Sequence, residues 1–367
     1  MKKSYFFFIA IFWLGCASTS SNTKTESKST EPNAQVENPE VPETLESEDE
    51  VFAVEETEIS FSSLGAELKG TILKPKIDAN LRVPGVVIAH DFGPLGRDGR
   101  IQGALGIQLP MEVPVYRSLA ESIAERGFAV LIYDKRTCVV GGPGQCDYPR
   151  SHLDDVESKL GDALLADLNA AVGALGSQID VDQSAVSIVG HGQGAELALA
   201  ATGAKERILV GWAPVAPMKL VELQLAWSLA ELEKSVAGRN DAETDQINRV
   251  IEQLKTQLEA WKVAESKVST GDTSGDFMGV SGKAWASLET VHQNALLAIS
   301  ADDLAVIGGK DFDLPADAEE KLRNVKNAPE IVIIEGLTHP LVDLDQDPTV
   351  LSEALVDIII QKLKDPN

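Results

Sequence analysis

Val189-Gly190-His191-Gly192-Gln193-Gly194-Ala195 is the stretch on which the fold turns. It follows the apolar run Ala185-Val186-Ser187-Ile188-Val189 and opens onto Glu196-Leu197-Ala198-Leu199-Ala200. The first run reads as a buried strand and the last as a helix. The alternate glycines between them permit a sharp reversal in which strand and helix backbones approach closely. Amides at the start of the following helix face outward and are suited to an anion.

The same grammar extends in both directions. Val86-Val87-Ile88-Ala89, Ala129-Val130-Leu131-Ile132-Tyr133, Ile208-Leu209-Val210, Ala295-Leu296-Leu297-Ala298-Ile299 and Ile331-Val332-Ile333-Ile334 are short apolar runs of buried-strand type. Between them, Leu160, Leu164, Leu168, Val172 and Leu175 recur at helical spacing, and Leu119, Ile123 and Ala124 precede a helix stop at Gly127. Alternating strands and helices predict a mostly parallel sheet covered on both faces. Upstream, residues 51–61 and 66–73 read as an antiparallel pair at the sheet edge. Residues 218–265 break the alternation with two helical patterns divided by Gly238-Arg239-Asn240-Asp241. An αα-hairpin inserted there is expected to cover the carboxyl ends of the strands as a lid; the alternative is a dimer interface.

The elbow resembles the G-x-S-x-G nucleophile turn of α/β-hydrolases, in which the central residue is held at positive φ and the following amide helps to stabilise an oxyanion. Further segments follow in the order of a bacterial secreted esterase branch, with dienelactone-hydrolase-like and serine-aminopeptidase-like members. His90-Asp91-Phe92-Gly93-Pro94 and Arg97-Asp98-Gly99 resemble its oxyanion loop. Tyr133-Asp134-Lys135-Arg136 matches the segment after the next strand, and Phe277-Met278-Gly279-Val280-Ser281 with Ala284-Trp285 precedes the last third. The resemblance covers roughly residues 55–365 and implies an α/β-hydrolase fold with an eight-stranded sheet. It also implies a triad acid at Asp303, a triad histidine at His339, and oxyanion-hole amides at Gln193 and Phe92. The nucleophile place falls on Gly192, which has no side-chain oxygen, so no acyl-enzyme can form there. Returning a serine to position 192 is expected to supply the one missing part of the triad.

Competing readings of these residues are weaker. Gly190-x-Gly192-x-x-Ala195 also matches a dinucleotide fingerprint, but the next strand, Ile208 to Val210, ends in Gly211-Trp212-Ala213-Pro214 without the acidic residue such a site requires. Cys138 and Ser187 are the alternatives for a displaced nucleophile. His90, His152, His191 and His292 have no metal-ligand spacing, so neither metal nor cofactor is expected.

The remaining features concern destination. Lys2-Lys3 precede an apolar stretch ending in Leu14-Gly15-Cys16, a pattern resembling a lipoprotein signal at 1–15 with Cys16 as the lipidated residue. Ala17 is not the aspartate that marks inner-membrane retention, so an outer-membrane anchor is expected. Residues 17–50 hold nine acidic and two basic side chains and no aromatic, so 16–50 reads as a disordered tether and 51–367 as the folded domain. The net charge of −25 excludes a nucleic-acid backbone as partner. In an exported chain, Cys138 and Cys146 are expected to close a small disulfide loop. The reading is therefore an envelope-anchored, impaired hydrolase relative that binds a small ester, peptide or acyl ligand. An active hydrolase using a His339-activated water, or a non-enzymatic envelope interaction module, are the alternatives.

Overall fold

The computed structural model describes residues 51–78, 81–101, 113–140, 146–236 and 241–365. The expected signal segment, Cys16 and the tether lie outside the described residues. Eight strands form one sheet: β1 (Val54–Ser63), β2 (Ala66–Pro75), β3 (Val83–Ala89), β4 (Ala129–Tyr133), β5 (Val181–His191), β6 (Arg207–Val210), β7 (Leu304–Gly308) and β8 (Glu330–Ile334). Their spatial order is β1-β2-β4-β3-β5-β6-β7-β8. The pairs β1–β2 and β2–β4 are antiparallel, and the pairs from β4 through β8 are parallel.

Period-two alternation divides the core between the two faces. Val87 and Leu131 point into one cluster with Leu164, Leu168 and Leu175 of helix 160–176. Their neighbours Val86, Ile88, Val130 and Ile132 point into the other, with Leu119 and Ile123 of helix 115–124 and Leu355 and Ile359 of helix 353–364. Both faces are therefore dry, as a parallel sheet requires.

One expected strand is not a strand. Residues 295–299 close the helix Gly282–Ala298, with Leu297 largely exposed while Ala295 and Ile299 are buried. A five-residue apolar run cannot distinguish a helix end from a strand by composition alone. The strand in question is β7, with all five residues buried. This shift of one element matters for the site.

The hairpin consists of helices Pro217–Ser235 and Asp241–Ser269. Trp261 of the second helix donates its indole N–H to the Met218 carbonyl (2.8 Å) and meets Trp285 edge-on. Trp227 of the first helix stacks on Phe312, and Gln224 donates to the Asp313 carbonyl (3.1 Å). The hairpin thus rests on the loop that follows β7, at the carboxyl end of the sheet. Cys138 and Cys146 form the expected disulfide, with Cα atoms 5.3 Å apart.

Candidate active site

Parallel register brings the site loops together. Ala89 pairs with Gly190, and His191 pairs with Val210, which in turn faces Val306. The chain therefore leaves β3, β5, β6 and β7 along one edge, where α/β sheets place their ligands. At the elbow a Cβ on Gly190 would lie 2.4 Å from the Gly194 carbonyl oxygen, and one on Gly194 would lie 2.1 Å from that of Ala89. Neither position admits a side chain. Gly192 has φ +52° and ψ −115°, and the helix Gln193–Ala200 begins immediately after it. The elbow backbone is present without its hydroxyl.

The place of the hydroxyl is taken by Asp91. A Cβ built on Gly192 would meet Asp91 Oδ1 at 1.9 Å. That oxygen accepts the Gln193 amide (3.1 Å), and Oδ2 lies 2.9 Å from His339 Nε2. The Phe92 amide also hydrogen-bonds this carboxylate. Both amides expected to line the oxyanion hole are thus engaged by a side chain of the protein itself. A serine at position 192 must displace the Asp91 carboxylate before a triad can form, a requirement the sequence expectation did not include.

His339 is where the resemblance puts it, in the loop after β8, but its acid is not Asp303. His339 Nδ1 is 3.0 Å from Asp311 Oδ2 and 3.1 Å from Oδ1. Asp303 sits before β7, at the opposite end of the sheet, where Arg207 Nε and Nη2 donate to it at 2.7 and 3.0 Å. The misplaced strand moved the acid one element early. The signal that identifies Asp311 is the apolar run Leu304–Gly308 followed by Gly309-Lys310-Asp311.

Charge at this edge is unevenly balanced. Burial alone would lower the His339 imidazole, but Asp311, Asp91 and Asp313 around it raise it well above the usual histidine range. Burial alone would raise the Asp91 carboxyl, yet His339, His191 and the Phe92 amide hold it far below the carboxylate norm. Desolvation pushes half-buried Asp313, whose Oδ2 is 4.0 Å from His339 Nε2, up to about 6, with His339 opposing and Asp311 and Asp91 adding to the rise. His191 is lowered to about 4 by burial and by the charge on His339. Its Nδ1 is 2.9 Å from Tyr116 Oη, which accepts the Asp91 amide.

The remaining motif residues support this edge from beneath. Lys135 donates to the Asp91 carbonyl and, at 2.7 Å, to Gln193 Oε1, and burial lowers its ammonium to about 8. Asp134 clamps Arg97 (2.8 Å), and Arg136 pairs with buried Asp167. His90 stacks between Tyr116 and Tyr133, and Phe92 stacks on Trp285. The two displaced-nucleophile candidates are removed from the chemistry: Cys138 is oxidised and Ser187 is buried within β5. As potential ligand groups, Asp91, His191 and His339 bring donor atoms within 4.8 Å of one another, as do Asp311, Asp313 and His339.

Three solved structures are similar to this chain. An acylaminoacyl peptidase from Pyrococcus horikoshii superposes with a TM-score of 0.53 at 15% identity, covering 86% of this chain and 43% of that one. This chain thus spans less than half the peptidase's length. An esterase from Pyrococcus furiosus (15% identity, TM-score 0.49) covers 84% of this chain and 90% of its own. A dienelactone hydrolase from Anabaena variabilis (17% identity, TM-score 0.44) covers 84% and 96%. No curated protein sequence matches this one. A sequence model described as the alpha/beta hydrolase family matches residues 86–354, a span that contains the elbow, Asp311 and His339. With strand order, elbow and histidine loop in agreement, this chain belongs to the alpha/beta hydrolase family.

Proposed function

We propose that the protein is an exported, lipid-anchored member of this family in which serine-nucleophile chemistry is closed. The observation that carries the proposal is the Asp91 carboxylate, which stands on the Gln193 amide and His339 Nε2 where a serine oxygen and an oxyanion would compete for the same partners. A triad works because the imidazole is free to take a proton from the nucleophile. Here the carboxylates of Asp311, Asp91 and Asp313 favour the charged form of His339, against the pull of its burial. A water in place of the serine hydroxyl would meet the same obstacle, so the geometry favours impaired turnover over a water-based hydrolase. The ligand class, a small ester, peptide or acyl compound, rests on the sequence resemblance. The anchor rests on Leu14-Gly15-Cys16.

The test treats the full chain, purified in detergent, with a fluorophosphonate probe and with p-nitrophenyl esters. No labelling and background hydrolysis are expected. Stoichiometric labelling that maps to a serine at this edge of the sheet would overturn the proposal. For the anchor, labelled palmitate should be incorporated by the wild-type chain in cells and lost in Cys16→Ser.

A further inference from the structure

The cluster at the elbow has the composition of a metal centre. We propose that Asp91, His191 and His339 form a binding site for a divalent transition metal of the zinc type, with Asp311 as the carboxylate that orients His339 and Asp313 as a neighbouring carboxylate. The site goes beyond the hydrolase reading, because nothing in that chemistry needs a metal.

Distances come first. Zinc holds imidazole nitrogen and carboxylate oxygen at about 2.0–2.2 Å, which puts neighbouring ligand atoms of a tetrahedron about 3.3–3.5 Å apart. Asp91 Oδ2 is 2.9 Å and Asp313 Oδ2 4.0 Å from His339 Nε2, on either side of that value. A metal would sit where His339 Nε2 and Asp91 Oδ2 now face each other at 2.9 Å. His191 brings a ring nitrogen within 4.8 Å of the donor atoms of Asp91 and His339.

The surroundings supply two further observations. A ligating histidine almost always gives its other ring N–H to a carboxylate, carbonyl or similar group, which fixes its tautomer and orientation. Asp311 does this for His339 Nδ1, and Tyr116 Oη contacts His191 Nδ1. In addition, His191 is only 2% exposed, and beyond the backbone of His339 its Nε2 has no partner, nor has buried Asp313 Oδ1. Buried polar atoms are ordinarily satisfied, and those left over at one place point to an absent group. Among the described residues, the ion pairs of Asp91, Asp311 and Asp313 are all with His339, so three carboxylates share one imidazole. Two neighbouring cations are engaged elsewhere: Lys135 is turned to the Asp91 carbonyl and Gln193, and Lys310 to Asp345. Mixed nitrogen and oxygen ligands favour zinc or its neighbours over magnesium or calcium.

The experiment strips the full chain in detergent with EDTA and titrates Zn²⁺ against a chromophoric chelator. One tight equivalent per chain is expected, unaffected by Asp345→Asn, which alters an exposed carboxylate. Asp91→Asn and His339→Gln should each lose at least about 100-fold in affinity, and Asp311→Asn about 10–100-fold. X-ray absorption on zinc-loaded wild type reads the ligands without any substitution and should give a nitrogen/oxygen shell that includes imidazole. Absence of a stoichiometric site, a shell without imidazole, or wild-type affinity in folded Asp91→Asn would overturn the proposal. The last outcome would assign the ions to the acidic surface.

Discussion

Asp303 and Asp311 flank the same strand and both have enclosed side chains, but their environments differ. At the amino end, Asp303 receives two hydrogen bonds from Arg207 and one from the Ser300 amide at 2.7 Å. Arg207 in turn donates to the Leu199 and Ala298 carbonyls. Charge and hydrogen bonds are closed there, and the arrangement ties β6, β7 and two helix ends together. At the carboxyl end, Asp311 shares one imidazole with two other carboxylates, and polar atoms are left unpaired. The first arrangement serves the fold. The second leaves groups that only a ligand, a proton or an ion can satisfy.

The largest expected effect tests the amino end. Asp303→Ala leaves the Arg207 guanidinium without its partner, and breaking such a pair typically costs about 3–5 kcal/mol. Urea denaturation should show a loss toward the lower figure, because Arg207 is partly exposed. Asp311→Ala should cost less, about 1–2 kcal/mol, since His339 keeps Asp91. Equal losses would erase the contrast between the two ends.

A second test works at the carboxyl end. Gly192→Ser alone should remain inactive toward short-chain p-nitrophenyl esters. Asp91→Ala with Gly192→Ser should exceed either single variant by about 10²-fold or more, the scale on which oxyanion-hole and triad components act. Activity in the single variant would mean that Asp91 yields readily to a hydroxyl. Adding His339→Ala to the pair should abolish the gain.

How much of this could be read from the chain follows from what local pattern encodes. The elbow was legible because Gly190 and Gly194 are required by backbone contact, which forces residue type at fixed spacing. His339 was legible from its order after the last strand. Asp311 was missed because Ala295–Ile299 has the composition of a strand but is the end of a helix. The occupancy of the site by Asp91 could not be read at all. It depends on contacts across 102 residues to Gln193 and 248 to His339, and no periodicity records those.

Two smaller effects sharpen the contrast. Reducing the Cys138–Cys146 loop should lower stability by about 2–3 kcal/mol without changing far-ultraviolet dichroism, since the cross-link acts mainly on the unfolded chain. No loss on reduction would mean that the loop constrains nothing the fold does not already constrain.

The smallest, per step, concerns acid. His90 is fully enclosed between two tyrosines with neither ring nitrogen hydrogen-bonded, and burial, with Lys135 and His191 adding, lowers it to about 3. An unfolded histidine takes up its proton near 6.5. Between those values the unfolded state binds the extra proton, so this residue makes stability fall as pH drops from about 6.5 toward 3 and adds no slope above that window. His90→Phe should flatten the curve by at most about 1.4 kcal/mol per pH unit in that range. An unchanged slope would show that His90 protonates within the folded protein.

The close approach of Asp91 to Gly192 also bears on how such a site can change over generations. With the aspartate in place, every residue except glycine at 192 collides with it, because even a bare methyl would lie 1.9 Å from its oxygen. With the aspartate gone, that collision no longer guards position 192. Substitutions at 91 and 192 are therefore coupled: a side chain at 192 fits only where the carboxylate moves aside or is lost, so selection acts on the pair rather than on either residue alone.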